Sequence, residues 1–503
     1  MNHFRIPIVI SAMAIAALVL PGSFSTSVYG EEKVSATDNT PAFSKDTDSD
    51  AGVTAREPSA LESLARKFGF RSKKAVDCTP VPSRDEICRR VQSMKGCIID
   101  TILVTGNKCT NRITIIREMA TTQGEELNEA LIYRDDTYLR GLGFFSSVNI
   151  TAEHTEDGEC RVIVHVDERP GLFMKYPWPV IDYDLDSGIR YGFRWRIRNF
   201  RGAGENLLLS FKEKHEKERG GGISWSAPWV GEFRLRLNIN AFSYFRIEKP
   251  EEDDFIKESN GAMVSVGLPL TKSLIHQWWF IPEIMIEERL SRLTLPGNLT
   301  DPGGVFFRQS YLAYGFSLLY DSRDNVIAPM DGIYSFINMK HYDTIHGHKQ
   351  HYTLYNFIMN LYQPVGRAGS IIASLSAVDR EGELPSFFRM RLGGKNDLRG
   401  FHSDLISGLY KVTATMQLRK KIYGPIVWNI PLVGRFDLTV NGVAFVDHGT
   451  LVEDFGFLPD GKFYRSAGFG FEVLSPIQNM IRIEAAFAED NRPDFYITSH
   501  RRF

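Results

Sequence analysis

The chain has 503 residues, 43% of them hydrophobic and 24% charged, with 59 Lys+Arg set against 61 Asp+Glu. A net charge of −2 gives no overall pull toward nucleic acid or anionic lipid, so neither is expected as an electrostatic partner. The 34 Phe, 19 Tyr and 42 Gly suit strands and turns better than helices, and the length leaves room for roughly two or three domains.

The N-terminus has the layout of an export signal over residues 1–30. His3 and Arg5 precede an apolar run at 6–20, Pro21-Gly22 breaks it, and small residues continue to Val28-Tyr29-Gly30. The run is too short and too broken for a membrane anchor. No Cys lies near the cleavage point, which argues against a lipid anchor, and no later apolar run is long enough for a transmembrane helix. Residues 31–58 are rich in Ser, Thr, Asp, Glu and Ala and cannot bury a core, so they are expected to be a disordered linker. Residues 59–96 form a helical, Cys-containing connector, beginning with an amphipathic helix at 59–70 that places Leu61, Leu64 and Phe68 on one face. All five cysteines (Cys78, Cys88, Cys97, Cys109 and Cys160) lie in the first third. Their spacing matches no zinc pattern, and an oxidising compartment would pair four of them, in a connectivity the sequence leaves open.

Residues 97–170 read as a compact α+β unit in the order strand, helix, helix, strand, strand. The expected strands are 98–104, 145–153 and 160–167, and helical spacing covers 113–119 and 128–139.

Residues 171–503 have a different pattern. Tyr191, Phe193, Trp195 and Ile197 alternate with Arg190, Arg194, Arg196 and Arg198, and Ile481, Ile483, Ala485 and Phe487 alternate with Arg482 and Glu484. One face is bulky and apolar while the other is rich in Arg, which fits lipid outside and a charged lumen inside. Sixteen such segments are recognisable, near 174–182, 188–198, 206–214, 221–227, 233–243, 260–268, 277–288, 308–320, 332–342, 351–363, 370–379, 409–420, 434–447, 464–474, 480–488 and 494–503. An even count lets both ends lie on one side of a membrane. The expected fold class is therefore mainly β, a 16-stranded transmembrane antiparallel barrel preceded by one small α+β domain.

Several stretches resemble the BamA/TamA-type outer-membrane protein assembly superfamily. Val104-Thr105-Gly106-Asn107, Tyr138-Leu139-Arg140-Gly141-Leu142-Gly143-Phe144-Phe145 and Val166-Asp167-Glu168-Arg169-Pro170 resemble a POTRA domain. Leu392-Gly393-Gly394 followed by Leu398-Arg399-Gly400-Phe401 resembles the signature of that family's surface-antigen-type barrel, with Leu in place of the usual Val. Asn199-Phe200-Arg201-Gly202-Ala203-Gly204, Tyr320-Asp321-Ser322-Arg323-Asp324-Asn325 and Phe445-Val446-Asp447-His448-Gly449 resemble further barrel motifs. By strand count Arg399 falls in the sixth outer loop, where the family carries its signature. The resemblance implies that this loop folds into the lumen and that its Arg meets an acidic wall residue. Strand parity offers Asp447 and Glu472 as inward-facing candidates. Bracing of the barrel and gating are both open roles for that pair.

The resemblance also implies a seam between first and last strands that opens to a client strand. Pro177 and Pro179 cannot donate ladder hydrogen bonds, and the last strand, with Phe495 and Ile497, ends on Ser499, Arg501 and Phe503, so both edges are expected to pair weakly. A short first strand starting after Pro179 is the plainer alternative. An exposed POTRA sheet edge would suit capture of unfolded polypeptide by β-augmentation. The implied activity is non-enzymatic insertion or translocation at the bacterial outer membrane, with the N-terminal domain in the periplasm. Unfolded outer-membrane or secreted proteins, membrane lipid and accessory lipoproteins would be its partners. A dedicated secretion pore of the two-partner type and a passive or structural pore are the alternatives.

No cofactor or metal is expected. The stretch 456–462 imitates a phosphate loop, but Phe463 stands where Ser or Thr is needed and no helix follows. Glu251-Glu252-Asp253-Asp254 reads as a solvated outer loop. His341, His346, His348 and His351 surround another outer loop and also read as solvated rather than as metal ligands.

Overall fold

The computed structural model describes residues 84–498, apart from 95, 156–157, 170–176, 185–187, 215–217, 249–253, 295–304, 327, 367–368, 385–388, 403–404, 431–433, 460, 476–478 and 489–492. The expected signal segment, the linker, the helix at 59–70, Cys78 and the terminal Phe503 lie outside the described residues.

The N-terminal domain is a three-stranded sheet covered by helices. Helix α1 (Arg84–Val91) leads to β1 (Ile99–Thr105), α2 (Arg112–Ile116), α3 (Glu129–Gly141), β2 (Phe145–His154) and β3 (Cys160–Glu168). The sheet order is β1-β3-β2, with β3 central, parallel to β1 and antiparallel to β2. Alternate residues Val162, Val164 and Val166 of β3 are buried against Ile102, Val104, Ile132, Leu139, Val148 and Ile150, forming one continuous core. Asn128 caps α3 by accepting from the Ala130 N–H at 2.9 Å. The helix run stops at Ile116, earlier than its spacing suggested, and the Asp135 carboxylate takes the next orphan donors, Ala120 N–H at 2.7 Å and Thr121 N–H at 2.9 Å. A disulfide joins Cys97 to Cys160 at the head of β1 and β3, and Cys88 and Cys109 are free thiols.

Sixteen of the described strands close a barrel. In chain order they are β4 (Trp178–Asp184), β5 (Gly188–Phe200), β6 (Glu205–Lys214), β7 (Glu218–Ala227), β8 (Arg236–Glu248), β9 (Asp254–Pro269), β10 (Gln277–Thr294), β11 (Val305–Asp321), β12 (Gly332–His346), β13 (His351–Val365), β14 (Gly369–Gly382), β17 (Tyr410–Ile430), β18 (Gly434–Val452), β19 (Tyr464–Ser475), β20 (Asn479–Phe487) and β21 (Pro493–Thr498). Each strand pairs antiparallel with its neighbour in sequence, and β21 closes onto β4. All sixteen segments expected from alternation are strands. The first starts later than expected, so Pro177 precedes it while Pro179 lies inside it, opposite Phe193. Two short strands, β15 (Met390–Leu392) and β16 (Ile406–Gly408), pair within the sixth loop and were not anticipated. At three residues each they are too short to show a period.

The barrel inverts the burial pattern of a soluble protein. Ile284, Ile286, Phe469, Phe471, Phe495 and Ile497 are exposed on the outer surface, while Glu287, Arg419, Asp447, Glu472, Arg482 and Glu484 are buried on the inner one. Only lipid outside makes that arrangement favourable. Among the described residues no helix is long and apolar enough to cross a membrane.

The α+β domain packs against the barrel turns on its own side. Gly202 in the β5–β6 turn has φ +74°, and a Cβ there would come within 2.1 Å of the Cys109 carbonyl oxygen. That closeness lets Gly202 O accept from Asn111 N–H and from Thr114 Oγ1, each at 3.0 Å. Asn199 Nδ2 donates to Thr110 Oγ1 at 2.8 Å. Further round, Arg117 donates to Gly231 O at 2.9 Å and lies over the Trp229 ring, whose indole N–H donates to Glu118 at 3.0 Å. Arg134 donates to Leu274 O at 2.7 Å.

Candidate functional site

The sixth loop, between β14 and β17, enters the lumen and is fixed by apolar contact before any charge is considered. Leu392 and Leu398 are fully buried with Met390 and Leu451, and Phe401 meets Tyr464 edge-on at 5.7 Å. Gly394 N–H donates to Phe401 O at 2.8 Å, folding the motif back on itself. This hairpin points Arg399 at the wall formed by β18, β19 and β20.

Arg399 is fully buried. Its Nε and Nη2 donate to the two Asp447 oxygens at 2.8 and 2.9 Å, and Nη1 donates to Glu484 Oε1 at 2.7 Å. The guanidinium lies 3.2 Å above the Phe445 ring. Thr415 Oγ1 donates to Asp447 Oδ1 at 2.8 Å. The fork geometry of Arg suits this two-sided recognition, which a Lys point charge would not reproduce.

Of the two carboxylates expected near Arg399, the structure brings Asp447 to it and not Glu472. Glu472 instead accepts from Arg419 Nε at 2.7 Å and Gln417 Nε2 at 2.9 Å, and Arg419 also donates to Pro329 O at 3.3 Å. The second partner of Arg399, Glu484, was not singled out from the sequence. Its parity signal was available, because Ile483 faces lipid and both of its neighbours therefore face the lumen. Arg482 completes the group, with its Nη1 3.5 Å from Glu484 Oε2. Arg399, Arg419 and Arg482 thus stand against Asp447, Glu472 and Glu484 in one buried, charge-balanced cluster.

This cluster reaches the seam. Gly400 N–H donates to Tyr496 Oη on β21 at 2.8 Å, and Arg482 Nε donates to Thr498 Oγ1 on the same strand at 3.0 Å. Gly400 has φ +86°, and a Cβ there would lie 3.1 Å from Ala488 N, so the close approach depends on glycine. Among the described residues β21 pairs with β4 at two positions, Tyr496 with Asp184 and Ile497 with Tyr183. Phe495 and Ile497 point outward, and Pro179 is exposed on β4.

Both edges of the domain sheet are partly covered. Ile99 N–H donates to Glu125 O and Leu127 N–H to Cys97 O, so chain already runs along the start of β1. On β2 the Arg140 side chain donates to Val148 O. Where the domain meets the barrel, a cavity of about 140 Å³ is lined by Glu118, Tyr138, Trp229, Arg234, Arg236 and Trp279. Burial, reinforced by the Glu118 carboxylate, pushes the Tyr138 phenol up to about 12.

The comparisons with known proteins bear on this geometry. The model of the Omp85 superfamily domain matches residues 199–501, and the POTRA model, described as a surface antigen variable number repeat, matches residues 98–169. This chain belongs to the Omp85 superfamily. Membership implies an outer-membrane barrel with its POTRA domain in the periplasm. The fold is similar to that of CdiB from Escherichia coli, with a TM-score of 0.51 and 14% identity over 80% of this chain and 76% of that one. Matches also extend to BamA from Haemophilus ducreyi lacking POTRA domains 1–3 (TM-score 0.48, 18% identity, 80% of this chain and 84% of that one). CdiB from Acinetobacter baumannii gives a TM-score of 0.48 at 14% identity, over 80% of this chain and 74% of that one.

Proposed function

We propose that this Omp85 protein assists insertion of unfolded outer-membrane polypeptides by opening the β4–β21 seam and offering the freed edge to a client strand. One observation carries the proposal: loop six is bonded directly to the last strand, Gly400 to Tyr496, and Arg399 reaches β20 at Glu484, beside Arg482, which donates to Thr498 of the last strand. A shift of the loop is therefore felt at the seam. The chain performs no covalent chemistry in this reading. Its work is to lower the cost of placing unpaired backbone groups in lipid while a new strand forms its ladder. The POTRA domain would receive the client on the periplasmic side, along the parts of β1 and β2 that no other segment covers. Accessory lipoproteins would act through the same domain.

The test is reconstitution. Purified protein in liposomes is mixed with an unfolded small barrel protein, and folding is followed by protease protection. The control carries Tyr183→Cys and Ile497→Cys, which face each other across the seam, with Cys78, Cys88 and Cys109 replaced by Ala. Acceleration by the free protein, lost on oxidation and regained on reduction, supports the seam. Acceleration that survives locking refutes it. Delivery of polypeptide into the vesicle interior would favour a secretion pore, and steady ion conductance with no client effect would favour a passive one.

A further inference from the structure

We propose that His341, Asp343 and His351 form a binding site for a divalent transition-metal ion of the zinc class on the outer face of the β12–β13 hairpin. The sequence pattern put four histidines around a loop, but strand geometry selects a different set. His341 and Asp343 are two apart on β12, so they share a face. Their neighbours Lys340 and Tyr342 are lumen residues, paired with Glu283 and packed on Tyr311 respectively, so the shared face is the outer one. His351 lies directly across the hairpin from Asp343, and Thr353 directly across from His341. Residues opposed in this way have Cβ atoms about 5 Å apart, within reach of one ion.

The ligand atoms of the three side chains all lie within 4.8 Å of one another. His341 Nε2 is 3.3 Å from Asp343 Oδ1, matching the roughly 3.3 Å edge of a tetrahedron with zinc–ligand bonds near 2.05 Å. His351 Nδ1 is 2.6 Å from the same oxygen, a hydrogen bond that an ion would open by roughly 0.7 Å. Two of the three ligands already have orienting partners. His341 Nδ1 lies 2.9 Å from Thr353 Oγ1, so its proton can sit there and leave Nε2 with a lone pair. Tyr314 Oη donates to Asp343 Oδ2 at 3.1 Å, leaving Oδ1 for the ion. Two imidazoles and one carboxylate favour zinc, copper or nickel over calcium or magnesium. Both His341 and Asp343 are about one-third exposed, so a water can fill the remaining position. The bound ion would staple β12 to β13 at their outer end. His346, the last residue of β12, and His348, in the turn beyond, are both exposed and take no part.

The experiment uses the full chain, purified without a polyhistidine tag and folded in detergent micelles, titrated with zinc chloride by calorimetry. One equivalent is expected to bind. Asp343→Asn and His351→Ala should each weaken binding by more than ~100-fold, Thr353→Val by about tenfold, and the pair His346→Ala/His348→Ala should leave it unchanged. Retained heat-modifiable migration in gels shows that each variant still forms the barrel. Absence of stoichiometric binding by the wild type would overturn the proposal and leave a hydrogen-bonded His–Asp pair. Loss on removing His346 and His348 with retention in Asp343→Asn would overturn it as well.

Discussion

Replacing Arg399 by Gln keeps most of the side-chain volume and removes the charge. Three charge-assisted hydrogen bonds disappear, two from Asp447 and one from Glu484. Both carboxylates stay in a site whose side chains are fully shielded. Of the three cations in the cluster, Arg419 is engaged by Glu472 and Arg482 sits 3.5 Å from Glu484, so Asp447 has the most to lose. Breaking a buried pair from one side costs about 3–5 kcal/mol, most of it the stranded charge. Asp447→Asn leaves Arg399 its Glu484 partner and should cost less. The double variant Arg399→Gln/Asp447→Asn strands neither of the two, so its cost should fall short of the sum by roughly 2–3 kcal/mol. Urea unfolding of the barrel in vesicles, read by tryptophan fluorescence, measures all three. Costs that add to within ~0.5 kcal/mol would refute the electrostatic account. Running client insertion beside the stability assay separates bracing from gating. Bracing alone predicts that activity follows the folded fraction, whereas gating predicts altered insertion at full folding.

Gly400→Ala should keep the charges but displace the loop, losing the Tyr496 bond and changing insertion more than stability. Gly202→Ala forces a Cβ onto the Cys109 carbonyl and should release the POTRA domain from the barrel turns, seen as faster proteolysis in the 106–111 loop with the barrel intact. The Cys97–Cys160 disulfide closes a separation of 63 residues, so replacing both by Ala should destabilise the domain by up to about 4 kcal/mol on the chain-entropy estimate. Burial raises the Glu168 carboxyl, but hydrogen bonds from the Thr110 side chain and from backbone N–H groups of Cys109 and Thr110 outweigh it and hold the group below its usual range. Its contribution is therefore complete above the unfolded-state value and is lost as pH falls through the lower folded one. The acid limb of POTRA unfolding should be shallower in Glu168→Gln, and an unchanged limb would show that Glu168 does not order that loop.

The barrel was legible because its signal repeats. A period of two over ten or more residues leaves little ambiguity, and each strand from β5 to β14 falls where alternation of apolar and charged residues put it. Strand ends were not legible: β10 continues through Arg289, Ser291 and Arg292, where the apolar face gives out, and β17 continues past register shifts on either side of Tyr423, where the period of two breaks. Asp447 could be placed by parity, but parity gives a face and not a depth. Glu472 and Asp447 are both inward, yet only the fold-back of loop six decides which one Arg399 reaches. Glu484 lies in no motif stretch, and its signal is parity alone, with exposed Ile483 beside it. The His341–Asp343–His351 grouping needed the hairpin register, which fixes Asp343 opposite His351. The sequence placed His341, His346, His348 and His351 round one loop without singling out Asp343.

On the proposed function, the seam and the loop-six cluster together set where this barrel yields. Strands β10 and β11 are matched at seventeen positions, from Gln277–Asp321 to Leu293–Val305, whereas the described part of β21 meets β4 at two. Local opening, on the proposed function, falls between β21 and β4. Side chains add to the hold on the last strand: Gly400 N–H donates to Tyr496 Oη and Arg482 Nε to Thr498 Oγ1. Those two bonds belong to the loop-six cluster and not to the seam ladder. On the proposed function, a client or partner that shifts loop six should loosen the last strand without touching it. Tyr496→Phe, which deletes one hydroxyl and no apolar contact, should raise hydrogen exchange in β21 while leaving β10 and β11 unchanged. Equal protection of β21 in both proteins would mean that the loop and the seam move independently.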